Sequence, residues 1–216
     1  MDTSPYSEAE RLHQEGERLR QELSDSEDAE LLTKKRIARF SQYILSQEAW
    51  FYTANKLIAA MKLLQPHIES YWEAFNAQFL GQDSGPEPEH SLTDVYMMLA
   101  GFAIENLCKG YLVDRLSPDD RNAIKGGGSF PNSLKTHNTL ELIDLTGMTL
   151  SETEKYLIDQ IYQANWRGRY PGPASHKDIR PFAQGGSDTR RITTVLGRLR
   201  AHVGAKESQE SRNPKD

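Results

Sequence analysis

Apolar residues recur along this chain at intervals of three and four, and the alternation expected of strands is almost absent, so the pattern predicts helices nearly throughout. Ile37, Phe40, Ile44, Phe51, Ala54, Ile58 and Met61 form one stripe along a predicted helix of about residues 30–64, preceded by a charged segment at 7–23 that reads as a separate helix. At 1.5 Å per residue the longer helix would span about 50 Å, so it must outrun a compact core or bend. Pro66 suits the first turn of the next helix, in which Ile68, Tyr71, Trp72, Phe75 and Phe79 keep the spacing of a buried face. Such an aromatic stripe reads as core rather than as a platform for stacking bases.

Turn residues and acidic charge at 81–90 mark an exposed connection. Ser91 or Thr93, with Asp94, can cap a helix over 92–116 that carries Leu92, Val95, Leu99, Phe102, Leu107 and Leu112. Being apolar on most sides, it is the expected central helix. A short helix at 118–125, a flexible glycine hinge at 126–128 and a helix from His137 to Thr146 come next. Ser151 with Glu154 forms a capping box for a helix in which Tyr156, Leu157, Ile161 and Ala164 lead into a loop at Trp166. The last helix is expected from Ser187 to His202, with a polar, disordered tail after Gly204. The fold class that results is all-α: a helical bundle of five or more helices with a long N-terminal helix. It divides into a charged arm (1–29), the bundle (30–204) and the tail (205–216).

Composition narrows the class. The 216 residues are 37% hydrophobic and 26% charged, with a mean hydropathy of −0.68. No window approaches the roughly 18 uninterrupted apolar residues of a membrane span, and the first residues lack a secretory signal pattern. A cytoplasmic protein with no membrane partner is expected. The lone Cys108 has no partner for an internal disulfide and no zinc-site spacing around it, so it reads as a core thiol. The net charge of −5 conceals a gradient. Residues 1–31 hold ten acidic and three basic side chains, whereas 165–206 hold nine basic and two acidic. A basic C-terminal third can attract phosphates, and the acidic arm can mask it or serve only solubility.

The candidate chemistry lies in three stretches. Asn165–His176, N-W-R-G-R-Y-P-G-P-A-S-H, brings Trp166, Arg167, Arg169, Tyr170 and His176 into one segment. Arginine forks bind phosphate bidentately and histidine titrates near neutrality, although the glycines and prolines would equally make a rigid structural turn. Within the central helix Glu105 and Lys109 stand at i, i+4 beside Asn106. They need partners on so apolar a helix: each other, the arginines of the later segment for Glu105, or a ligand phosphate for Lys109. His137 stands at or just before a helix start, where Thr136 or Asn138 can cap and free amides suit an anion. It can act as a base or simply bond the loop. No His-Glu-x-x-His, no D-x-D run, no phosphate loop and no nucleophile elbow occurs, so neither a metal nor another cofactor is implied.

Together the runs G-F-A-I-E-N-L-C-K-G-Y-L, L-K-T-H-N-T-L-E-L and N-W-R-G-R-Y-P resemble bacterial members of the HEPN superfamily over about residues 92–176, extending to 202. The resemblance implies an all-helical, RNA-binding domain that forms a homodimer. In its nuclease members an arginine followed after four to six residues by a histidine forms the active site. Arg169, with six residues between it and His176, matches at the upper limit, but Tyr170 comes directly after it and Pro171 and Pro173 interrupt the motif. The chemistry implied by the same resemblance is that of a metal-independent endoribonuclease of a toxin-antitoxin or phage-defence system, with an antitoxin or other protein as partner. Arg169, His176 and His137 are then the catalytic candidates, with His137 the substitute acid or base. Arg167, Lys109 and Tyr170 are the RNA-binding ones, while Glu105, Asn106 and Trp166 orient the site. The alternative is a non-catalytic helical interaction or dimerisation module. A weaker third is a nucleotide-binding helper beside a nucleotidyltransferase.

Overall fold

The structure, a computed structural model, describes Arg18 and residues 29–82, 91–169 and 188–210, with the backbone alone at 29–30, 165–169 and 205–210. The expected arm helix at 7–23, Arg18 apart, and all but the first two residues of the connection at 81–90 lie outside the described residues. Eight helices appear among the described residues, with no strand. They are α1 (Ala29–Ile44), α2 (Gln47–Phe79), α3 (Thr93–Asp114), α4 (Pro118–Lys125), α5 (Asn132–Lys135), α6 (Thr139–Thr146), α7 (Glu152–Arg169) and α8 (Asp188–Glu210). The chain is an all-α helical bundle.

One long helix was expected over 30–64, and two are found. The break at Leu45–Ser46 is built by Ser46, whose hydroxyl accepts from the Ala49 amide, and by the Trp50 indole, which donates to the Ile44 carbonyl at 2.8 Å. Those two bonds satisfy groups that a helix end leaves open, so the chain can stop and restart within two residues. Pro66, expected to begin a helix, instead sits inside α2, exposed to solvent. The periodic stripe also overstated burial. Phe40 is 46% exposed, and the buried α1 position is Ser41, whose hydroxyl is satisfied by the Ala38 carbonyl. Ala54, Met61 and Ile68 are buried as expected, but Phe75 and Phe79 are exposed. The reason is length: α2 runs antiparallel to α3, Trp72 donates to Thr93 at the first turn of α3, and the residues beyond overhang its end.

α3 is the centre of the bundle and packs against α2, α5, α6, α7 and α8. Its Tyr96, Met97, Ala100, Ala103, Ile104, Leu107 and Cys108 join Leu142, Ile143, Ile158, Ile161, Ile192 and Leu199 in one core. Val95 and Tyr156, placed on buried faces by spacing, point outward instead. No side chain caps α3; Ser91 and Thr93 bond each other's hydroxyls at 2.7 Å while the N-cap falls on Leu92. The tightest approach to α2 is at Gly110, where an added Cβ would lie 2.8 Å from a Phe51 ring carbon and 3.0 Å from the Trp50 Cβ. Gly110→Val is expected to destabilise the protein by about 1–3 kcal/mol through overpacking. Urea denaturation measures this, and pairing the change with Phe51→Leu should recover part of the loss.

The glycine run at 126–128 is a helix cap rather than the expected hinge. The amide of Gly128 bonds the Ala123 carbonyl at 2.8 Å and that of Gly127 bonds Ile124 at 3.1 Å, with Gly127 at φ 80. This is the double hydrogen bond by which a left-handed residue closes a helix, and it seats Gly127 on the Ile37 side chain of α1. The capping box at α7 forms as the spacing predicted, Ser151 and Glu154 each bonding the other's amide. The bond from the Ser151 amide, helped by Arg198 of α8, holds the Glu154 carboxyl below its usual range. Two ends were placed too early. α7 continues through Trp166 to Arg169, and α8 continues past Gly204 to Glu210.

Candidate functional site

Two segments far apart in sequence meet at Glu105. α3 places Glu105 and Lys109 one turn apart, and the Lys109 ammonium donates to Oε1 of Glu105 at 2.8 Å. From the other side the Nδ1 of His137 lies 3.0 Å from the same oxygen. An ionised carboxylate only accepts hydrogen bonds, so Nδ1 is the donor and carries the ring hydrogen. Nε2 is left as the basic nitrogen.

The loop before α6 fixes the imidazole. Asn138 caps α6 by accepting from the amides of Leu140 and Glu141 at 3.1 and 3.3 Å. Thr136 accepts from the Asn138 amide and donates to the Glu141 carboxylate at 2.8 Å. His137 stands between these two residues, just before the helix, and its side chain reaches Glu105. The capped amides are therefore not available to an anion, which removes one of the roles expected of this helix end.

Exposure separates the three side chains. That of His137 is 60% exposed, that of Glu105 12% and that of Lys109 4%. Lys109, expected to offer a cation to RNA, instead has its ammonium below the surface on Glu105. Its part in the site is to pair with that carboxylate and hold it in place. Asn106, expected to orient the site, donates at 2.7 Å to the Phe102 carbonyl of its own helix. Cys108 lies beneath the pair, fully buried, and burial, reinforced by the Glu105 carboxylate, pushes its thiol far above its ordinary pKa. A thiol so raised is not a nucleophile, in keeping with a core residue.

The remaining candidates fall differently. Trp166, Arg167 and Arg169 belong to the last turn of α7, a helix packed on α3, rather than to a loop. The side chains of these residues, and Tyr170 and His176 altogether, lie outside the described residues. Among the described residues no group of three or more His, Cys, Asp or Glu side chains is arranged to hold a metal ion. No described helix is long and apolar enough to cross a membrane.

The basic C-terminal third supplies a concavity of about 750 Å³ between the start of α7 and α8, lined by Arg190, Arg191 and Arg198 with Ser151, Glu154 and Thr194. Its charge is largely neutralised. Arg198 bonds Glu154 and the Thr149 carbonyl, Arg191 faces Asp188 at 3.6 Å, and the capping box occupies the α7 amides. The Glu105–His137 pair is the better site, since it joins a fixed carboxylate to a solvent-facing imidazole. Sequence spacing singles out both residues as candidates, and the structure brings them into contact. No family model, curated protein or solved structure matches the chain.

Proposed function

We propose that this chain is a HEPN-like RNA-binding protein that cleaves RNA without a metal ion, as a member of a toxin-antitoxin or phage-defence system. One observation carries this reading: the Nδ1 of His137 lies 3.0 Å from the Glu105 carboxylate on a side chain that is 60% exposed, so that in the neutral ring Nε2 is the nitrogen available to take a proton. An imidazole so oriented is a general base. His137 Nε2 takes the proton of a ribose 2′-hydroxyl, whose oxygen attacks the adjacent phosphorus; the 5′-oxygen leaves with a proton from a second group, and a 2′,3′-cyclic phosphate results. By the resemblance, that second group is His176, and Arg169 with Arg167 offsets the charge gathering on the phosphate oxygens. A homodimer would bring two such sites together, and an antitoxin or other protein would be the natural partner.

The test is incubation of the purified chain with single-stranded RNA in EDTA. Cleavage to cyclic-phosphate ends is expected, with DNA of the same sequence intact because it lacks the attacking hydroxyl. Arg169→Ala is expected to slow cleavage by about a hundredfold or more, the usual cost of losing a charge-stabilising donor. The alternative, a non-catalytic helical interaction module, is favoured by the burial of Lys109 on Glu105, which an architectural ion pair would equally require. RNA left intact by a correctly folded protein would decide for it.

A further inference from the structure

The surface of α1 carries a pattern that the cleavage chemistry does not use. Arg36, Arg39, Phe40 and Tyr43 stand at i, i+3, i+4 and i+7, which places them on one helical face, and all four are exposed. With Gln42 and Ser46 they line a groove of about 680 Å³ that continues to the start of α2. An i, i+3, i+4, i+7 face normally turns to the core, yet here Ser41 and Ile37 face inward and the rings face out. From Leu31 to Gln47 the chain has four basic residues, Lys34, Lys35, Arg36 and Arg39, and no acidic one.

The platform is also anchored to its neighbours. Phe40 leans on Phe130 with ring centres 5.7 Å apart, leaving 46% of the residue exposed, and Tyr43 is 59% exposed. Ile37 is seated on Gly127, and the Trp50 indole clasps the last carbonyl of α1. Exposed aromatic rings interleaved with arginines along one helical face suit unpaired bases and the phosphates between them. A duplex would hide its base faces from these rings, and a lipid surface would need a broad apolar face that four basic residues in this stretch do not provide.

We infer that the Arg36–Tyr43 face of α1 is a binding surface for single-stranded RNA, the phosphates meeting Arg36 and Arg39 and bases stacking on Tyr43 and the open side of Phe40. This deepens the RNA reading above and rests on it for the identity of the strand. The face positions substrate and takes no part in the proton transfers.

The test uses the full chain and a fluorescent oligouridylate whose 2′-hydroxyls are methylated, so that it can be bound but not cut, followed by anisotropy over a salt series. Arg36→Gln with Arg39→Gln is expected to weaken binding at least tenfold and to flatten the dependence of log Kd on log salt by about 0.7 for each phosphate that is no longer neutralised. Tyr43→Ala is expected to weaken binding about tenfold with that slope unchanged, because stacking releases no counterions. Phe40 is left in place because it packs on Phe130. The inference is overturned if the wild-type chain does not hold the strand, if both variants bind as tightly as wild type, or if the same residues favour duplex RNA or phosphatidylserine vesicles. Its failure is separable from that of the cleavage reading. Patch-dependent binding of the methylated strand without cleavage of ordinary RNA would leave this surface standing and remove the nuclease, and cleavage with patch-independent binding would do the reverse.

Discussion

Replacing Glu105 by alanine is expected to lower the free energy of unfolding by about 3–5 kcal/mol, because it strands a buried ammonium. Lys109 is 3% exposed and its ammonium bonds Glu105 at 2.8 Å, so the variant must either bury an uncompensated charge or open α3 to water. The pair itself need not be worth so much. Desolvating two charges offsets most of their attraction, and an apolar pair of similar volume commonly does as well. Lys109→Met alone is therefore expected to cost about 1 kcal/mol or less, since Glu105 is near enough to solvent to be hydrated once its partner is gone and keeps His137 beside it. Glu105→Leu with Lys109→Met should recover most of what Glu105→Ala loses. Urea unfolding of the three variants forms the check. Equal, small losses in all of them would mean that Lys109 reaches water without its partner.

Helix periodicity found nearly every element because α3 carries residues of two apolar clusters, a large one shared with α2, α6, α7 and α8 and a small one with Ile124 of α4 and Leu134 of α5, and these helices each turn a face to one of them. Where it misled, the cause was specific. The Trp50 and Ser46 bonds that divide α1 from α2 are tertiary and local polar events invisible to an apolar stripe, which runs on in register across the break. Pro66 lies on the exposed side of α2, so the bonds it disrupts are not buried, and a residue that usually starts a helix is carried inside one. Phe75 and Phe79 keep perfect spacing but fall where α2 has outrun its neighbour. Gly126–Gly128 read as a hinge because composition does not show which carbonyls three glycine amides will reach.

The candidate site was legible in parts. Glu105 and His137 stood out as polar groups needing partners, one on an apolar helix and the other beside a capping residue. Nothing in the sequence shows that residues 32 positions apart share one hydrogen bond, because that depends on how the short α5 and α6 return the chain to α3. The burial of Lys109 was hidden for the same reason: its charge is plain in sequence, but its depth is a property of the assembled bundle.

His137→Gln is expected to reduce RNA cleavage by about 10²–10⁴-fold, the range for loss of a positioned general base, while leaving stability within about 0.5 kcal/mol. The separation of the two effects comes from exposure. The His137 side chain is 60% exposed and buries little apolar area, and a glutamine amide can still donate to Glu105, so neither packing nor the carboxylate's satisfaction is lost. Glutamine has no basic nitrogen, and the proton of the 2′-hydroxyl has nowhere to go. Glu105→Gln separates position from charge: the side chain keeps its shape, but an amide can turn either end to the imidazole and no longer fixes which nitrogen carries the hydrogen. Its cleavage rate should fall as well, alongside a stability loss that His137→Gln does not share. Single-turnover cleavage rates measured with urea midpoints on the same preparations make the comparison. A His137→Gln protein that cuts RNA at the wild-type rate would leave the Glu105 bond as a clasp between α3 and the α6 cap and move the base to another residue.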